Sequence, residues 1–351
     1  MELIESSPAP LEHSVRDSRG RFRGVDSIRA VCAAVVVLGH IGIFSSAHSH
    51  PPHIPTALVR FLAVAFNGPA AVIVFFVISG FCIHLPYRGT RPIRFASYIS
   101  RRLLRVGLPA LLAVGYTVYV LHAFWVLNAV LWSILCEIIY YLIYPLLRKM
   151  AMVIKWSWMI CGTYVVGVVL AVTHLSTLRY AENAYIAFGV RWTWLLGLPC
   201  WLMGCWLAEK VEAFPVLSKF QIWSLRGLVV VVSIALRILK FHTTTPFASN
   251  CLTLNLFAFL ACVWLGCEIQ YFEHAEAPTW LEWAGTWSYS LYLVHPLIPG
   301  SLVLLHLAWL DALITREHFI LLCITFPIAY AYHLAIEKPS HITAVRVSRA
   351  L

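Results

Sequence analysis

Long apolar blocks alternate with short polar segments along the chain after residue 27. The blocks lie at roughly 28–44, 69–85, 106–124, 129–147, 156–174, 188–208, 222–240, 251–269, 287–309 and 318–336. Most approach the roughly 20 residues that an α-helix needs to cross the hydrocarbon core of a bilayer. The pattern therefore predicts an all-α, polytopic integral membrane protein with about ten transmembrane helices.

The composition strengthens this prediction. Of the 351 residues, 60% are hydrophobic and 12% are charged, whereas soluble domains are about half apolar and a quarter charged. These proportions exclude a disordered chain and an ordinary soluble enzyme. The ten cysteines form no Cys-x-x-Cys pair and lie almost entirely within the apolar blocks. They are predicted to be buried thiols, not a disulfide framework or a zinc site.

The basic residues are unevenly distributed. When the N-terminus is placed in the cytoplasm, 20 of the 26 lysines and arginines lie on the inner side. Such a bias is typical of cytoplasmic loops and requires no nucleic-acid partner. We therefore predict a multi-pass protein of the cell inner membrane with both termini in the cytoplasm: an arm at 1–27, a membrane domain at 28–340 and a tail at 341–351. The alternative for the first block, a cleaved signal peptide, needs an unusually long N-terminal region and leaves an odd number of spans.

Ionisable residues inside apolar blocks are costly and usually mark function. Arg29 and His40 both lie in the first block. Their spacing turns a helix to within roughly 20° of its starting direction and raises it about 16 Å, so the two side chains are predicted to share one face. This suits an anion-binding group at the cytoplasmic edge and a base deeper in the bilayer. The alternative is an arginine that reaches the headgroups and a histidine that packs against a carbonyl.

The fourth block carries a carboxylate near its middle, Glu137, with Trp132, Ser133 and either Tyr140 or Tyr141 at helical spacing around it. An unpaired carboxylate there is prohibitive, so Glu137 is predicted to be protonated, to pair with a base or to face a wet cavity. The competing interpretation is a structural glutamate that ties two helices together.

Arginines precede the third block as Arg101, Arg102 and Arg105. Guanidinium groups bind phosphate through paired hydrogen bonds, so a nucleotide-like anion could dock here from the cytoplasm. Ordinary anchoring to lipid phosphate is the alternative.

A further cluster, His48, His50 and His53, lacks a carboxylate or cysteine partner, and no metal site is predicted.

Six segments together resemble acyltransferase family 3, the polytopic membrane O-acyltransferases of bacterial glycans and related acceptors. In the family's order they are Val25-Asp26-Ser27-Ile28-Arg29-Ala30 with His40; Phe75 to Phe81; Arg101 to Pro109; Trp132, Ser133, Glu137, Tyr141 and Pro145; Ser288 to His295; and Glu337 to Pro339. Any one match is weak, but six in order from residue 22 to 340 are specific.

The resemblance implies transfer of an acyl group, most often acetyl from acetyl-CoA, to a hydroxyl of a cell-surface or exported polysaccharide or glycolipid. Acyl-CoA is then a co-substrate, no cofactor stays bound, and the partners are the lipid bilayer and the carbohydrate acceptor. The ionisable residues fit this chemistry, because an alcohol becomes a good nucleophile when a base removes its proton. An imidazole held away from water stays neutral and can accept that proton.

We accordingly expect catalytic roles for His40, as the base, and for Glu137, as the group that orients its imidazole or stabilises the imidazolium. The phosphates of CoA are expected to bind Arg29, Arg101, Arg102 and Arg105. The expected lining of the cavity is Ser79, Trp132, Tyr292 and His295.

Two other functions fit parts of the pattern. A transporter or flippase would use intramembrane His, Glu and Arg as proton or substrate sites, but such proteins usually show two halves of matching pattern, and the sequence shows none. A purely structural subunit of an envelope assembly is the third interpretation. For the enzyme, direct transfer and an acyl-histidine intermediate both fit these residues.

Overall fold

The computed structural model describes residues 22–41, 61, 64–89, 91–123, 126, 131–180, 184–243, 245–305 and 318–351. Within these ranges the fold is helical and contains no β-sheet. The all-α prediction is confirmed.

Each predicted apolar block contains a described helix, and the ninth block is divided between two short helices. In chain order the helices are α1 (Val25–Ile41), α2 (Gly68–His84), α3 (Phe95–Val120), α4 (Trp132–Met150), α5 (Trp156–Thr173), α6 (Leu175–Tyr180), α7 (Ala184–Ala187), α8 (Gly189–Lys210), α9 (Lys219–His242), α10 (Asn250–His274), α11 (Thr279–Thr286), α12 (Ser288–Val294), α13 (Ile298–Leu304), α14 (His318–Tyr332) and α15 (Lys338–Ala350). Helices α6, α7, α11 and α15 lie outside the blocks.

Five described helices are long and apolar enough to cross a membrane: α2 with the turn that follows it, α3, α5, α9 and α10. This agrees with a membrane protein. The count of ten spans and the cytoplasmic side of both termini stay predictions.

Helix α2 lies at the centre of the bundle, where it packs against α1, α8 and α10. In its most apolar stretch 78% of the residues are buried, against 11% for the peripheral α9. Helices α2 and α8 approach closely because Gly80 and Gly204 lie at their contact. A Cβ on Gly80 would stand 1.9 Å from the carbonyl oxygen of Trp201, and one on Gly204 would stand 2.0 Å from that of Val77. Small residues commonly permit such close helix packing in membranes.

The first turn of α1 is fixed by a carboxylate from α11. The Glu282 side chain accepts hydrogen bonds from the backbone N–H groups of Gly24 and Ser27 at 3.1 and 2.9 Å, and from the Ser27 hydroxyl at 2.6 Å. A helix N-terminus leaves N–H groups without partners, and this carboxylate supplies one. The helix therefore begins at Val25, within the arm predicted to end at residue 27.

Helix α3 begins at Phe95, well before the predicted start at 106. Its first turns carry the arginines, and it includes two π-helical turns, at Leu103–Gly107 and Tyr116–Val120. The arginine-rich turns are helical because they pack against α15. What hydropathy marked as a loop is thus the amphipathic start of a long helix.

The predicted tail at 341–351 is also helical almost to its end. Helix α14 continues through a π turn at His333–Glu337 into α15. Ser340 donates to the Leu104 carbonyl, Ser97 donates to the Ser348 carbonyl at 2.7 Å, and Ala344 is fully buried. Because Ser340, Ala344 and Ser348 recur at helical spacing, this small-residue stripe lets α15 lie close to α3.

Candidate active site

A polar cavity of about 120 Å³ lies among α1, α2, α3, α4, α12 and the π turn before α15. Its lining combines three arginines, two carboxylates and several hydroxyl groups with apolar side chains. The polar members are Arg29, Ser79, Arg102, Arg105, Ser133, Glu137, Tyr141, Ser288, Tyr289, Tyr292 and Glu337. We refer to it as the polar cavity.

Three of the four arginines predicted to bind an anion line this cavity. They are Arg29, Arg102 and Arg105, whereas Arg101 is exposed and lies outside it. Successive residues of a helix point about 100° apart, so neighbours in sequence face different surroundings. The buried Nε of Arg102 has no hydrogen-bond partner in the described part of the chain.

Glu137 ends a directed chain of hydrogen bonds. The indole of Trp201 donates to the Ser79 hydroxyl at 3.2 Å, and the hydroxyls of Ser79 and Tyr141 lie 3.2 Å apart. Tyr141 in turn donates to Glu137 at 2.5 Å. An indole N–H can only donate and a carboxylate can only accept, so the donors point towards Glu137. Ser133, Glu137 and Tyr141 share the cavity because they recur every four residues along α4.

A second carboxylate, Glu337, was not predicted as a site residue. It accepts hydrogen bonds from the Ser290 hydroxyl at 2.6 Å and from Nδ1 of His333 at 2.9 Å. The side chain lines the cavity together with the arginines. The sequence feature that could have identified Glu337 is its position directly after the last apolar block, at the start of the closing Glu-x-Pro motif.

The structure separates the four residues expected to line one cavity. Ser79 and Tyr292 do line it, and Tyr292 forms a 2.6 Å hydrogen bond with the Ser133 hydroxyl. His295 is buried beside Tyr292, with ring centroids 5.7 Å apart. Trp132 is placed differently: it stacks on Tyr185 at 5.1 Å and lines another concavity beside α4. Trp132 is not among the described residues that line the polar cavity. It precedes Ser133 by one residue and so points about 100° away from it.

His40 lies beyond the cavity, at the end of α1, and contacts His295. Its Nδ1 is 3.0 Å from the Val36 carbonyl oxygen and 3.4 Å from Nε2 of His295. A carbonyl oxygen accepts only, so Nδ1 of His40 carries the hydrogen and, in the neutral ring, Nε2 holds the lone pair. The same holds for His295, whose Nδ1 lies 3.2 Å from the Leu291 carbonyl oxygen. The lone pair of His295 therefore faces the N–H of His40.

No hydrogen bond joins Glu137 to His40 in the described structure. Each side chain has other hydrogen-bond partners. The Glu137 carboxylate bonds to Tyr141, and the His40 imidazole bonds to Val36 and His295. The pairing expected between a base and an orienting carboxylate is thus replaced by a pair of imidazoles. The histidines at 48, 50 and 53 lie outside the described residues.

Comparison with known proteins identifies the family. No curated protein and no solved structure matches the chain. The model of a family described as an acyltransferase domain, acyltransferase 3, matches residues 22–334, nearly the whole chain. This range includes every residue expected at the site and ends just before Glu337. The chain therefore belongs to the acyltransferase 3 family of membrane acyltransferases.

Proposed function

We propose that the protein transfers an acyl group from acyl-CoA to a hydroxyl of a cell-surface or exported polysaccharide or glycolipid. One observation carries the proposal. Within an apolar helical bundle, Arg29, Arg102 and Arg105 converge on a polar cavity, and an imidazole pair lies beyond Tyr292. Ionisable groups inside an apolar helical bundle are costly and indicate a function.

The donor would bind at the arginines. Guanidinium groups form strong charge-assisted hydrogen bonds with phosphate, and Arg102 has an unused buried donor. A cavity of about 120 Å³ is too small for the whole coenzyme, so the arginines would hold its phosphates at the mouth, the pantetheine arm with its thioester would enter, and the adenosine would stay outside. Glu137 can accept a hydrogen bond from an amide N–H of the pantetheine arm, since a carboxylate accepts only.

His40 would act as the general base through Nε2. It takes the proton of the acceptor hydroxyl as the oxygen attacks the thioester carbonyl carbon. The C–O bond forms, the C–S bond breaks, and the leaving thiolate receives the proton from His40. While His40 is protonated, its Nδ1–H can be shared between the Val36 carbonyl and Nε2 of His295. The exposure of His40 at the end of α1 suits an acceptor that arrives from the outer side.

The proposal is tested with purified protein in detergent or liposomes. Acyl-CoA is supplied with surface glycan from a strain that lacks the gene, after removal of its esters by mild base. We expect free CoA to be released only when glycan is present, and the glycan to gain the mass of the acyl group. Glycan or acyl movement across liposomes without CoA release would instead support a transporter.

A further inference from the structure

A second, larger concavity lies on the other side of α4. This apolar groove of about 630 Å³ runs between α3 and α4 and also reaches the start of α8. Its lining is almost entirely aliphatic. The residues at its rim and floor that bear on its use are Leu103, Ala110, Leu111, Ile134, Leu135 and Cys136.

The described residues that line the groove carry few polar groups, namely the indole of Trp132, the thiol of Cys136 and the hydroxyl of Thr193. Its single hydroxyl, that of Thr193, donates to the carbonyl oxygens of Tyr185 and Gly189, at 2.6 Å each. The floor at Ala110 and Cys136 is buried, whereas Leu111 and Leu135 at the rim are exposed towards the predicted lipid. An aliphatic ligand fits such a surface, because any polar group placed there would lose its hydrogen bonds.

The groove and the polar cavity lie on either side of a common wall. Ile134 lines both. A crevice of about 10 Å³ lies between them. It is bounded by Arg102 and Tyr141 of the polar cavity and by Leu103, Gly107 and Ile138 of the groove. The passage is narrow, so a methylene chain could cross it only after Ile134 or Ile138 changes rotamer.

We propose that this groove holds the acyl chain of the donor, and that the protein transfers medium-length acyl groups in preference to acetyl. The inference rests on the proposed function. From Leu103 to Val114 the groove is about 16 Å long at about 1.5 Å per helical residue. An extended chain advances about 1.2 Å per atom, so about a dozen carbons fit.

In this arrangement only the acyl group would be transferred. The chain stays in the groove while its carbonyl carbon exchanges the coenzyme sulfur for the acceptor oxygen. The hydroxyl proton ends on the released thiol, so the reaction needs no further reactant. This assigns a longer substrate than the acetyl group suggested by the sequence.

The test compares two neighbouring tryptophan variants with acetyl-, octanoyl- and dodecanoyl-CoA. Leu111→Trp fills the groove, whereas Leu112→Trp adds the same bulk at an exposed position of α3 outside it. For the unmodified protein we expect kcat/KM to be at least about tenfold higher with octanoyl- than with acetyl-CoA, because buried methylenes add binding energy. Leu111→Trp should remove this preference and leave acetyl transfer intact, and Leu112→Trp should change neither.

Each other outcome has a defined meaning. Equal use of all three donors, or a preference that Leu111→Trp leaves untouched, would overturn the inference and indicate that bilayer lipid alone fills the groove. An equal loss for every donor, with a higher KM for the acceptor, would overturn it in favour of a lipid tail on the acceptor. Absence of transfer from any donor by the unmodified protein would count against the proposed function itself.

Discussion

Helix α4 separates two regions of opposite chemistry. Ser133, Glu137 and Tyr141 face the polar cavity, whereas Leu135 and Ile139 face the apolar groove. The polar side is visible in a sequence, because ionisable residues within an apolar block are rare and costly. The groove side is not, since leucines that line a groove look like leucines that face lipid. The contrast shows that chemistry can be predicted from a membrane sequence more readily than the shape that selects the substrate.

The largest expected effect comes from His40→Ala. Loss of the base should lower kcat by about 10²- to 10⁴-fold for every donor, because His40 is the group that removes the proton of the acceptor hydroxyl in the proposed reaction. The measurement is steady-state CoA release with acetyl- and octanoyl-CoA. His242→Ala, at an exposed histidine that ends α9, is the control and should retain full activity. Near-normal turnover by His40→Ala would exclude His40 as the base.

The helices were predictable because apolar blocks of suitable length have few other folds available in a bilayer. Their ends were less predictable: the amphipathic start of α3 at Phe95 and the helical segment after residue 340 depend on each other. Neither segment is apolar enough to mark a helix alone, and each is covered by the other through Ser97 and Ser340.

The candidate site was predictable in its residue types but not in its pairings. Arg29 and Glu137 were found because their charges are expensive in an apolar block, and Arg102 was found because clustered arginines suit phosphate. The contact of His40 with His295 joins distant parts of the chain, and the separation of Arg101 and Trp132 from the cavity depends on how each helix is rotated about its axis. Neither is encoded in local spacing.

The arginines provide the next effect in size. Arg102→Ala combined with Arg105→Ala should raise the KM for acyl-CoA by at least about tenfold, since a hydrogen bond to a charged group contributes about 1.5–3 kcal/mol. The KM for the acceptor should change little. Arg101→Ala removes one positive charge from a position outside the cavity and is the matched control for Arg102→Ala and for Arg105→Ala made singly. If all three substitutions raise the donor KM equally, the arginines act through surface charge, not through the cavity.

The smallest expected effects test most directly whether the two faces of α4 have different roles. Ser133→Ala removes the 2.6 Å hydrogen bond to Tyr292, which should lower kcat by about fivefold, as expected for a neutral hydrogen bond of about 1 kcal/mol. Because Ser133 faces the polar cavity, acetyl- and dodecanoyl-CoA should be affected alike. Leu135→Ala, two residues away on the groove side, should raise the KM for dodecanoyl-CoA alone. If Ser133→Ala and Leu135→Ala change the kinetics of both donors in the same way, the two faces of α4 do not have separate roles in the reaction of the thioester and in binding of the acyl chain.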